Sequence, residues 1–415
     1  MDSATNVRVP LGLVAFGVAV AYLHGIGSPA LAPRWALLSL CIPFIMLISR
    51  TLHVVDWGHL WMTLLIVWAT ISLAWTPNLY GGLDVWWHYM LYAGLFLLAA
   101  RLADLNSVYI GFGLGIATNS LVALYQFANG IGTYAQGDLI VQHPGGLFLN
   151  AEYMGEAAAL AIVANYRRWP LALACLPALA LSGSRTGWLA ISLAALWWCW
   201  EHRHYWIVLV TAPFLAIICL VWSQSPSVLE RFQIWHDALA GWSIFGHGIG
   251  SFWFLAPAYG GLHGSLPARP LYASMDALQV LFELGLLGLG LWLRLGIGAF
   301  VRSWGVDRLV LIAVISESLI TTISFSPATG FMAVAVLGHV WGYWYRLPEL
   351  EPNRRKAELP SLRTAGASGH PSARTRLSAL ALRTQHRGGP SLLRPKPLDH
   401  PWRLQREDGA QWPQL

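Results

Sequence analysis

Charged residues are what this sequence has least of. Only 11% of its 415 residues are charged, whereas 56% are hydrophobic and the mean hydropathy is +0.52. Soluble domains carry roughly 25% charged residues. So apolar a chain cannot cover a water-soluble surface, which excludes a soluble enzyme and a disordered chain. The composition predicts an all-α, polytopic membrane protein.

Cysteine is also scarce. The chain has four cysteines, and all of them lie inside apolar segments rather than in polar loops. A disulfide framework is therefore excluded. The sequence also lacks the ligand spacing of a metal site and the glycine loop that cradles nucleotide phosphates. We expect neither a metal nor a cofactor.

Basic residues are scarce outside the C-terminal region. Residues 350–415 hold 12 of the 26 Lys and Arg residues but only 5 of the 20 acids, so this region carries +7 and the rest of the chain −1. A body of that charge offers no surface for nucleic acid. Because residues 350–415 are rich in Arg, Pro, Ser and Gly without periodicity, we predict a transmembrane domain at 1–349 and a disordered, basic, cytoplasmic tail at 350–415.

Long hydrophobic runs fill the body. A run of about 20 residues crosses a bilayer, and about twelve such spans can be placed. They lie near 10–27, 31–49, 59–75, 85–101, 107–128, 148–165, 168–182, 186–201, 205–222, 277–299, 308–324 and 329–346. With both termini in the cytoplasm, most arginines of the body lie on the cytoplasmic side, as the positive-inside rule requires.

The arginines that break this rule are informative. Arg34, Arg185, Arg231 and Arg269 fall on the outer side, where binding an anion is the commonest reason for an arginine. One large outer loop, 223–275, contains two of them. A loop of this length is usually functional or disordered, and its apolar residues recur at helical spacing. We predict an amphipathic helix that lies on the bilayer surface. Its apolar face would consist of Val228, Leu229, Phe232, Trp235 and Leu239, opposite Glu230, Gln233 and Asp237.

Two motifs open predicted spans on the outer side. The first, Gly-Gly-Leu-Phe-Leu-Asn at 145–150, precedes Glu152 and Glu156, which lie one helical turn apart. Two acids at the lipid boundary either face a cavity or partner or cap the start of the helix. In the second, Ser-Gly-Ser-Arg-Thr-Gly at 182–187, Arg185 begins a helix beside hydroxyls and backbone amides. This arrangement favours a phosphate site or an arginine that extends to lipid headgroups.

Two further motifs belong to the long loop. Arg231 begins Arg-Phe-Gln-Ile-Trp-His-Asp-Ala, which is followed by Phe-Gly-His-Gly-Ile-Gly at 245–250. An arginine there can reach a lipid pyrophosphate or bind headgroups. The segment 272–288 then leads into the next span, with Glu283 about two turns inside and Gly285 and Gly288 spaced for close helix packing.

In order, spacing and side of the membrane, the four motifs resemble those of the O-antigen ligase and polymerase family. This family joins glycans in bacterial envelopes, and the resemblance covers roughly residues 60–300. It implies about a dozen spans with one large periplasmic loop in the inner membrane. The implied activity is a metal-independent glycosyl transfer in lipopolysaccharide or exopolysaccharide biosynthesis. The donor would be an undecaprenyl-pyrophosphate-linked oligosaccharide, and the acceptor either lipid A core or another lipid-linked glycan.

The resemblance also assigns roles to residues. Arg185 and Arg231 match the arginines thought to hold the pyrophosphate leaving group, which fits guanidinium–phosphate pairing. Glu152, Glu156 and Arg269 are further candidates. Ser274 stands where ligases have a histidine proposed to activate the acceptor, and a serine cannot serve as that base. Asp276 and His263 are the alternative bases.

This departure favours a polymerase or an exopolysaccharide-joining relative over a ligase. Two other hypotheses remain open. A secondary transporter also has about twelve spans, but transporters are typically built of repeats with broken helices near the membrane midplane. A catalytically inactive relative would explain Ser274.

Overall fold

The structure, a computed structural model, describes residues 5–24, 28–49, 57–136, 139–223, 226–259 and 272–358. The chain divides into two compact units, Met1–Glu349 and Leu350–Leu415. The described part is predominantly α-helical. Its helices are α1 Thr5–Val20, α2 Leu31–Ser49, α3 Trp57–Ser72, α4 Leu79–Ala99, α5 Asn106–Ala128, α6 Ala151–Ala164, α7 Trp169–Ser182, α8 Arg185–Glu201, α9 Tyr205–Ser223, α10 Pro226–Ala240, α11 Phe252–Tyr259, α12 Asp276–Arg302, α13 Gly305–Ser318 and α14 Pro327–Glu358.

Each predicted span overlaps a helix, although the predicted spans 10–27 and 308–324 extend past the ends of α1 and α13. Within the described residues, three helical segments are long and apolar enough to cross a membrane: Leu31–Ile48, Asn106–Ala128 and Asp276–Arg302. Shorter apolar helical segments lie at Val7–Val20, Trp57–Ser72, Trp169–Ser182 and Tyr205–Ile217. These helices are consistent with a membrane protein, and the full set of about twelve spans stays a prediction.

Polar contacts join helix ends that the sequence assigns to the same side. Arg8 lies 3.1 Å from Asp104, and Arg308 lies 2.8 Å from Glu201. The Tyr109 hydroxyl donates to Asp307 at 2.6 Å. All these residues belong to predicted cytoplasmic ends. The alternating direction of the helices therefore agrees with the order of the spans.

Helix α6 is largely buried. It packs against α5, α7, α8 and α13, and every residue from Met154 to Ala161 is buried. Alanine and glycine dominate this stretch, and small residues let neighbouring backbones approach closely. Because the first turns of α6 carry Glu152 and Glu156, its position fixes where these acids lie.

One element has no counterpart in the all-α prediction. The outer connection 129–147 contains a short antiparallel hairpin, β1 Thr133–Gln136 paired with β2 Leu139–Gln142. Positive-φ glycines at Gly130 and Gly132 precede it. The backbone amide of His143 donates to the carbonyl of Gly132 at 3.0 Å, which closes the loop on itself.

Helix α12 is broken at Gly285, where φ is 67° and ψ is −165°. The loop segment 244–249 fills the break. The amide of Leu286 donates to Ile244 (2.9 Å), while the amides of His247 and Gly248 donate to Phe282 and Glu283 (each 2.9 Å). Gly285 was predicted to serve helix packing, but it accommodates this loop instead, and only glycine adopts its backbone conformation readily.

The amphipathic helix predicted in the long loop is present as α10, with a different packing face. Leu229, Phe232 and Leu239, predicted to be apolar-face residues, are about half exposed, whereas Asp237, assigned to the polar face, is buried. The side that packs against the rest of the protein carries Ile234 and Ala238, in contact with the cluster of Phe252, Ala273 and Phe282. Three residues of the predicted apolar face are therefore open, whereas Val228 and Trp235 are partly buried.

The tail prediction needs one correction. Helix α14 runs through Glu358 and so continues past the predicted start of disorder at residue 350. The segment 350–358 contains Glu, Arg and Lys, which favour helix, and a helix of this composition shows no apolar periodicity. Residues 359–415 lie outside the described residues.

Candidate functional site

The turn before α6 is held by α5. The side-chain oxygen of Asn119 accepts the Leu147 amide (2.9 Å), and that of Gln126 accepts the Gly146 amide (2.8 Å). Asn150 then caps α6, since its side chain accepts the amides of Glu152 (2.8 Å) and Tyr153 (3.2 Å). An Asn cap of this kind satisfies amides that a helix start otherwise leaves unpaired. The first motif thus sets the position of Glu152.

Arg34, one of the four outer arginines, belongs to this support. It is 1% exposed, and its Nη2 donates to the carbonyls of Ala19 and Leu147, each at 3.2 Å. Its guanidinium lies 3.8 Å from the centre of the Phe148 ring. This arginine joins the end of α1 to the first motif, so its presence among the arginines predicted to lie on the outer side has a structural explanation.

Arg231 of α10 forms an ion pair with Glu152 of α6. The Arg231 side chain is 18% exposed and that of Glu152 38%. The pair therefore lies at a protein surface within reach of a ligand. It also connects the long loop to the first motif, which are far apart in the sequence.

The Arg185 motif meets the same helix one turn further on. A Cβ placed on Gly155 would overlap Ser182 and Ser184, and a Cβ on Gly187 would lie 2.6 Å from the Gly155 carbonyl oxygen. Ser184 caps α8, because its hydroxyl accepts the Gly187 amide at 3.2 Å. The partly buried Arg185 is the first residue of α8. Both predicted pyrophosphate ligands thus belong to segments that contact the first turns of α6.

Glu156, the second acid of the motif, is buried beneath this surface. It is 0% exposed and interacts electrostatically with Glu317 of α13, which is also 0% exposed. Among the described residues, none forms a hydrogen bond of normal geometry with either carboxylate. The Thr321 hydroxyl lies beside Glu156 but donates to the backbone carbonyl of Glu317 at 3.1 Å. Two such carboxylates in a protein interior repel each other when both are ionised.

The fourth motif adjoins the same surface through Tyr272. The Tyr272 phenol interacts electrostatically with the phenol of Tyr153 of α6, and Tyr153 also interacts electrostatically with Arg231. Tyr272 stacks on Phe325, with ring centres 4.1 Å apart. Burial raises the pKa of its phenol, and the charges of Asp84 and Glu283 raise it further. Tyr272 is therefore neutral at physiological pH, with a hydroxyl proton to donate.

The candidate bases are placed unequally. Asp276 is 2% exposed and accepts the hydroxyl (2.6 Å) and the amide (3.3 Å) of Ser324, so it holds the turn before α14. Ser274 has φ of 52°, and its carbonyl accepts the indole N–H of Trp235 at 3.2 Å. His263 and Arg269 lie outside the described residues.

A cavity of about 520 Å³ is lined in part by Tyr272. Its wall comes from the first turns of α2, α4 and α12, together with α11, Tyr272 and Phe325. All of these are predicted outer ends. Among the residues that line it are Trp35, Asp84, His88, Trp253, Gln279 and Glu283. Its volume is that of an ordinary small-molecule site.

Sequence reasoning missed several residues of this region. Asp84 and His88 are spaced i, i+4 at the start of α4, and Glu317 is an acid inside a predicted span. Both features were readable as polar residues at or within a membrane segment. Trp35 gave no signal, because a tryptophan near a span end is ordinarily an interfacial anchor.

Comparison with known proteins adds no assignment. The chain matches no protein-family model and no curated protein. Its likeness to the O-antigen ligase and polymerase family therefore rests on the four motifs.

Proposed function

We propose that this protein is a membrane glycosyltransferase that joins or polymerises polyprenyl-pyrophosphate-linked saccharides at the periplasmic face of the bacterial inner membrane. One observation carries the proposal. The segments bearing Arg185 and Arg231 both contact α6 within its first turns, at Gly155 and Glu152. Two arginine-bearing segments that meet at one helix suit a ligand with two phosphates.

In this proposal the two arginines neutralise the charge of the pyrophosphate leaving group. In the transfer, an acceptor hydroxyl oxygen bonds to the anomeric carbon of the donor sugar while the bond from that carbon to the phosphate oxygen breaks. The bonding electrons leave with the polyprenyl pyrophosphate, and the hydroxyl proton passes to a base. Guanidinium groups at the pyrophosphate stabilise the charge that develops there. In the absence of ligand, Glu152 keeps the Arg231 guanidinium at this surface.

The base for the acceptor proton has three candidates. Asp276 accepts two hydrogen bonds from Ser324, which favour its role in holding the turn. Ser274 is too weak a base. A histidine such as His263 has a proton affinity that suits this step near neutral pH, and Asp276 stays the alternative.

The membrane arrangement in this proposal has about twelve spans and both termini in the cytoplasm. The starts of α2, α4, α6, α8 and α12 then lie together at the periplasmic face. The open apolar side of α10, with Leu229, Phe232 and Leu239, would contact lipid there. This places Arg231 at the height of a lipid headgroup, where a polyprenyl pyrophosphate would be found.

The test uses purified full-length protein in nanodiscs with a polyprenyl-pyrophosphate-linked oligosaccharide, and it measures released polyprenyl pyrophosphate. We expect Arg231→Ala and Arg185→Ala to slow release at least 100-fold, as loss of a preorganised charge does. Arg167→Ala changes an exposed arginine on the predicted cytoplasmic side and should leave the rate unchanged. Release at the wild-type rate by both site variants would contradict the proposal.

A transporter is the second candidate, because α12 is broken at Gly285 and broken helices form the binding sites of many transporters. In this chain, however, the segment 244–249 occupies the break and hydrogen-bonds the backbone around it. Uptake of intact glycan into proteoliposomes without release of polyprenyl pyrophosphate would favour the transporter.

A further inference from the structure

The cavity beside Tyr272 differs in charge from the arginine surface. Asp84 and Glu283 line it, and no Lys or Arg is among the described residues of its wall. Glu283 is committed to structure, since its carboxylate accepts the Gln279 amide (2.6 Å) and the Phe252 backbone amide (3.2 Å). The Asp84 side chain is 65% exposed. A phosphate or another anion would be repelled from such a cavity.

Aromatic rings supply much of the remaining wall. Trp35 stacks on His88 with ring centres 3.5 Å apart, and Tyr272 stacks on Phe325. Stacking of this kind fixes the orientation of the rings. Trp253 lies on α11 at the rim and is 37% exposed. Fixed aromatic surfaces suit a flat ligand with a C–H face.

Hydrogen-bonding groups of both kinds accompany these rings. Within the described part of the chain, Nδ1 of His88 is buried without a partner, and His88 Nε2 lies 4.0 Å from the Asp84 carboxylate. The neutral phenol of Tyr272 can donate. An unpaired buried nitrogen costs free energy until a ligand group satisfies it. The cavity thus offers donors, acceptors and apolar ring faces together, as the hydroxyl-bearing rim and the C–H face of a sugar require.

We propose that this cavity is a saccharide subsite that binds a pyranose unit without negative charge, either neutral or amino-substituted. Its place in the reaction rests on the proposed function. Tyr272 lines the cavity and interacts electrostatically with Tyr153, which in turn interacts with Arg231, so a sugar bound here would lie on the side of the protein where Arg231 holds a pyrophosphate. The two sites then divide the substrate by charge, with the anion at the arginines and the sugar in the cavity. Uronic acids are excluded by Asp84.

The test is saturation-transfer NMR on the full-length protein in nanodiscs. The probes are methyl glucoside, N-acetylglucosamine, glucosamine, glucuronate and tetramethylammonium. We expect signals from the first three and none from glucuronate. Trp253→Ala should weaken sugar binding about tenfold, in line with the loss of a ring contact of ~1.4 kcal/mol. The matched control is Trp206→Ala, which removes an exposed indole of α9.

A second variant separates the subsite from a folding defect. Asp84→Asn preserves shape at a largely exposed position, and it should admit glucuronate while retaining N-acetylglucosamine. Asp104→Asn is the control, since Asp104 is a partly exposed acid outside the cavity that pairs with Arg8. The proposal is overturned if glucuronate binds the wild type as well as glucosamine does, if Trp253→Ala and Asp84→Asn change nothing, or if tetramethylammonium alone binds.

The outcome is independent of catalysis. Arg231→Ala should slow release of polyprenyl pyrophosphate at least 100-fold but leave sugar binding intact. Sugar binding in a protein without transferase activity would retain the subsite and remove the proposed function. Transferase activity without sugar binding in this cavity would support the proposed function and overturn the subsite.

Discussion

Arg231 of α10 and Glu152 of α6 form an ion pair across 79 residues of sequence. Each partner belongs to a different predicted motif, and the pair holds the long outer loop against the helix that also supports the Arg185 turn. Partly exposed pairs of this kind contribute about 0.2–1 kcal/mol. The pair therefore contributes little to stability. Its main effect is to orient the Arg231 guanidinium at this surface.

The first prediction concerns competition for Arg231. Because the Glu152 carboxylate occupies this guanidinium, a phosphate must share or displace it. We expect Glu152→Gln to bind inorganic pyrophosphate about two- to fivefold more tightly than wild type, in proportion to the weak pair it removes. Arg231→Ala should bind it more weakly. Calorimetry in nanodiscs measures both, and tighter binding by Arg231→Ala would show that the anion site lies elsewhere.

The second prediction concerns the contact between α6 and the Arg185 turn. A side chain at Gly155 would overlap Ser182 and Ser184, so Gly155→Val should displace the turn and destabilise the protein by about 1–3 kcal/mol. Gly290→Val is the matched control, since space is open around that helical glycine. Thermal unfolding in detergent compares them. An equal loss in both variants would mean that valine's helix propensity, rather than the contact, is responsible.

The helices were predictable because a helix that crosses the bilayer needs an apolar run of about 20 residues. The same hydropathy pattern could not distinguish a glycine that packs a helix from one that breaks it, and Gly285 proved to be the latter. It also could not identify the cavity. Trp35, Asp84 and Tyr272 come from three distant segments, and only tertiary packing brings them together.

The four motifs were located from the sequence because each combines a turn with a charged or polar group at a span boundary. That all four motifs lie near α6 could not be predicted. The sequence indicated only that they share one side of the membrane. The structural role of Arg34 could not be predicted either. Its partners are backbone carbonyls, which every residue carries and which no sequence pattern identifies.

The third prediction addresses the break in α12. At Gly285 a Cβ would overlap the carbonyl oxygen of Ile244, and the backbone conformation is one that other residues avoid. Gly285→Ala should therefore destabilise the protein by about 1–3 kcal/mol and release the 244–249 segment. Gly296→Ala, at an open helical position of α12, should have no such effect. Limited proteolysis within the loop reads out the release, and unchanged cleavage would contradict it.

The fourth prediction concerns the buried acids. Glu317→Gln keeps the side-chain shape but removes the repulsion with Glu156, so we expect the variant to be at least as stable as wild type. Glu201→Gln, which breaks the exposed pair with Arg308, should lose about 0.2–1 kcal/mol. Thermal unfolding in the same detergent compares the two. If Glu317→Gln unfolds at a lower temperature than Glu201→Gln, the carboxylate must have a stabilising partner.

The final prediction concerns metal dependence. Many enzymes that release pyrophosphate neutralise its charge with a divalent cation, but here the proposed function gives that work to Arg185 and Arg231. Guanidinium groups are permanently charged and need no metal. Release of polyprenyl pyrophosphate should therefore continue at the same rate after treatment with EDTA. If EDTA stops release and Mg²⁺ restores it, the charge is neutralised by a metal, and the arginines would then position the pyrophosphate rather than stabilise its departure.

Repeating the EDTA treatment with Arg231→Lys separates these two roles, because a lysine supplies charge without bidentate geometry. Partial activity that stays insensitive to EDTA would identify charge as the contribution of residue 231.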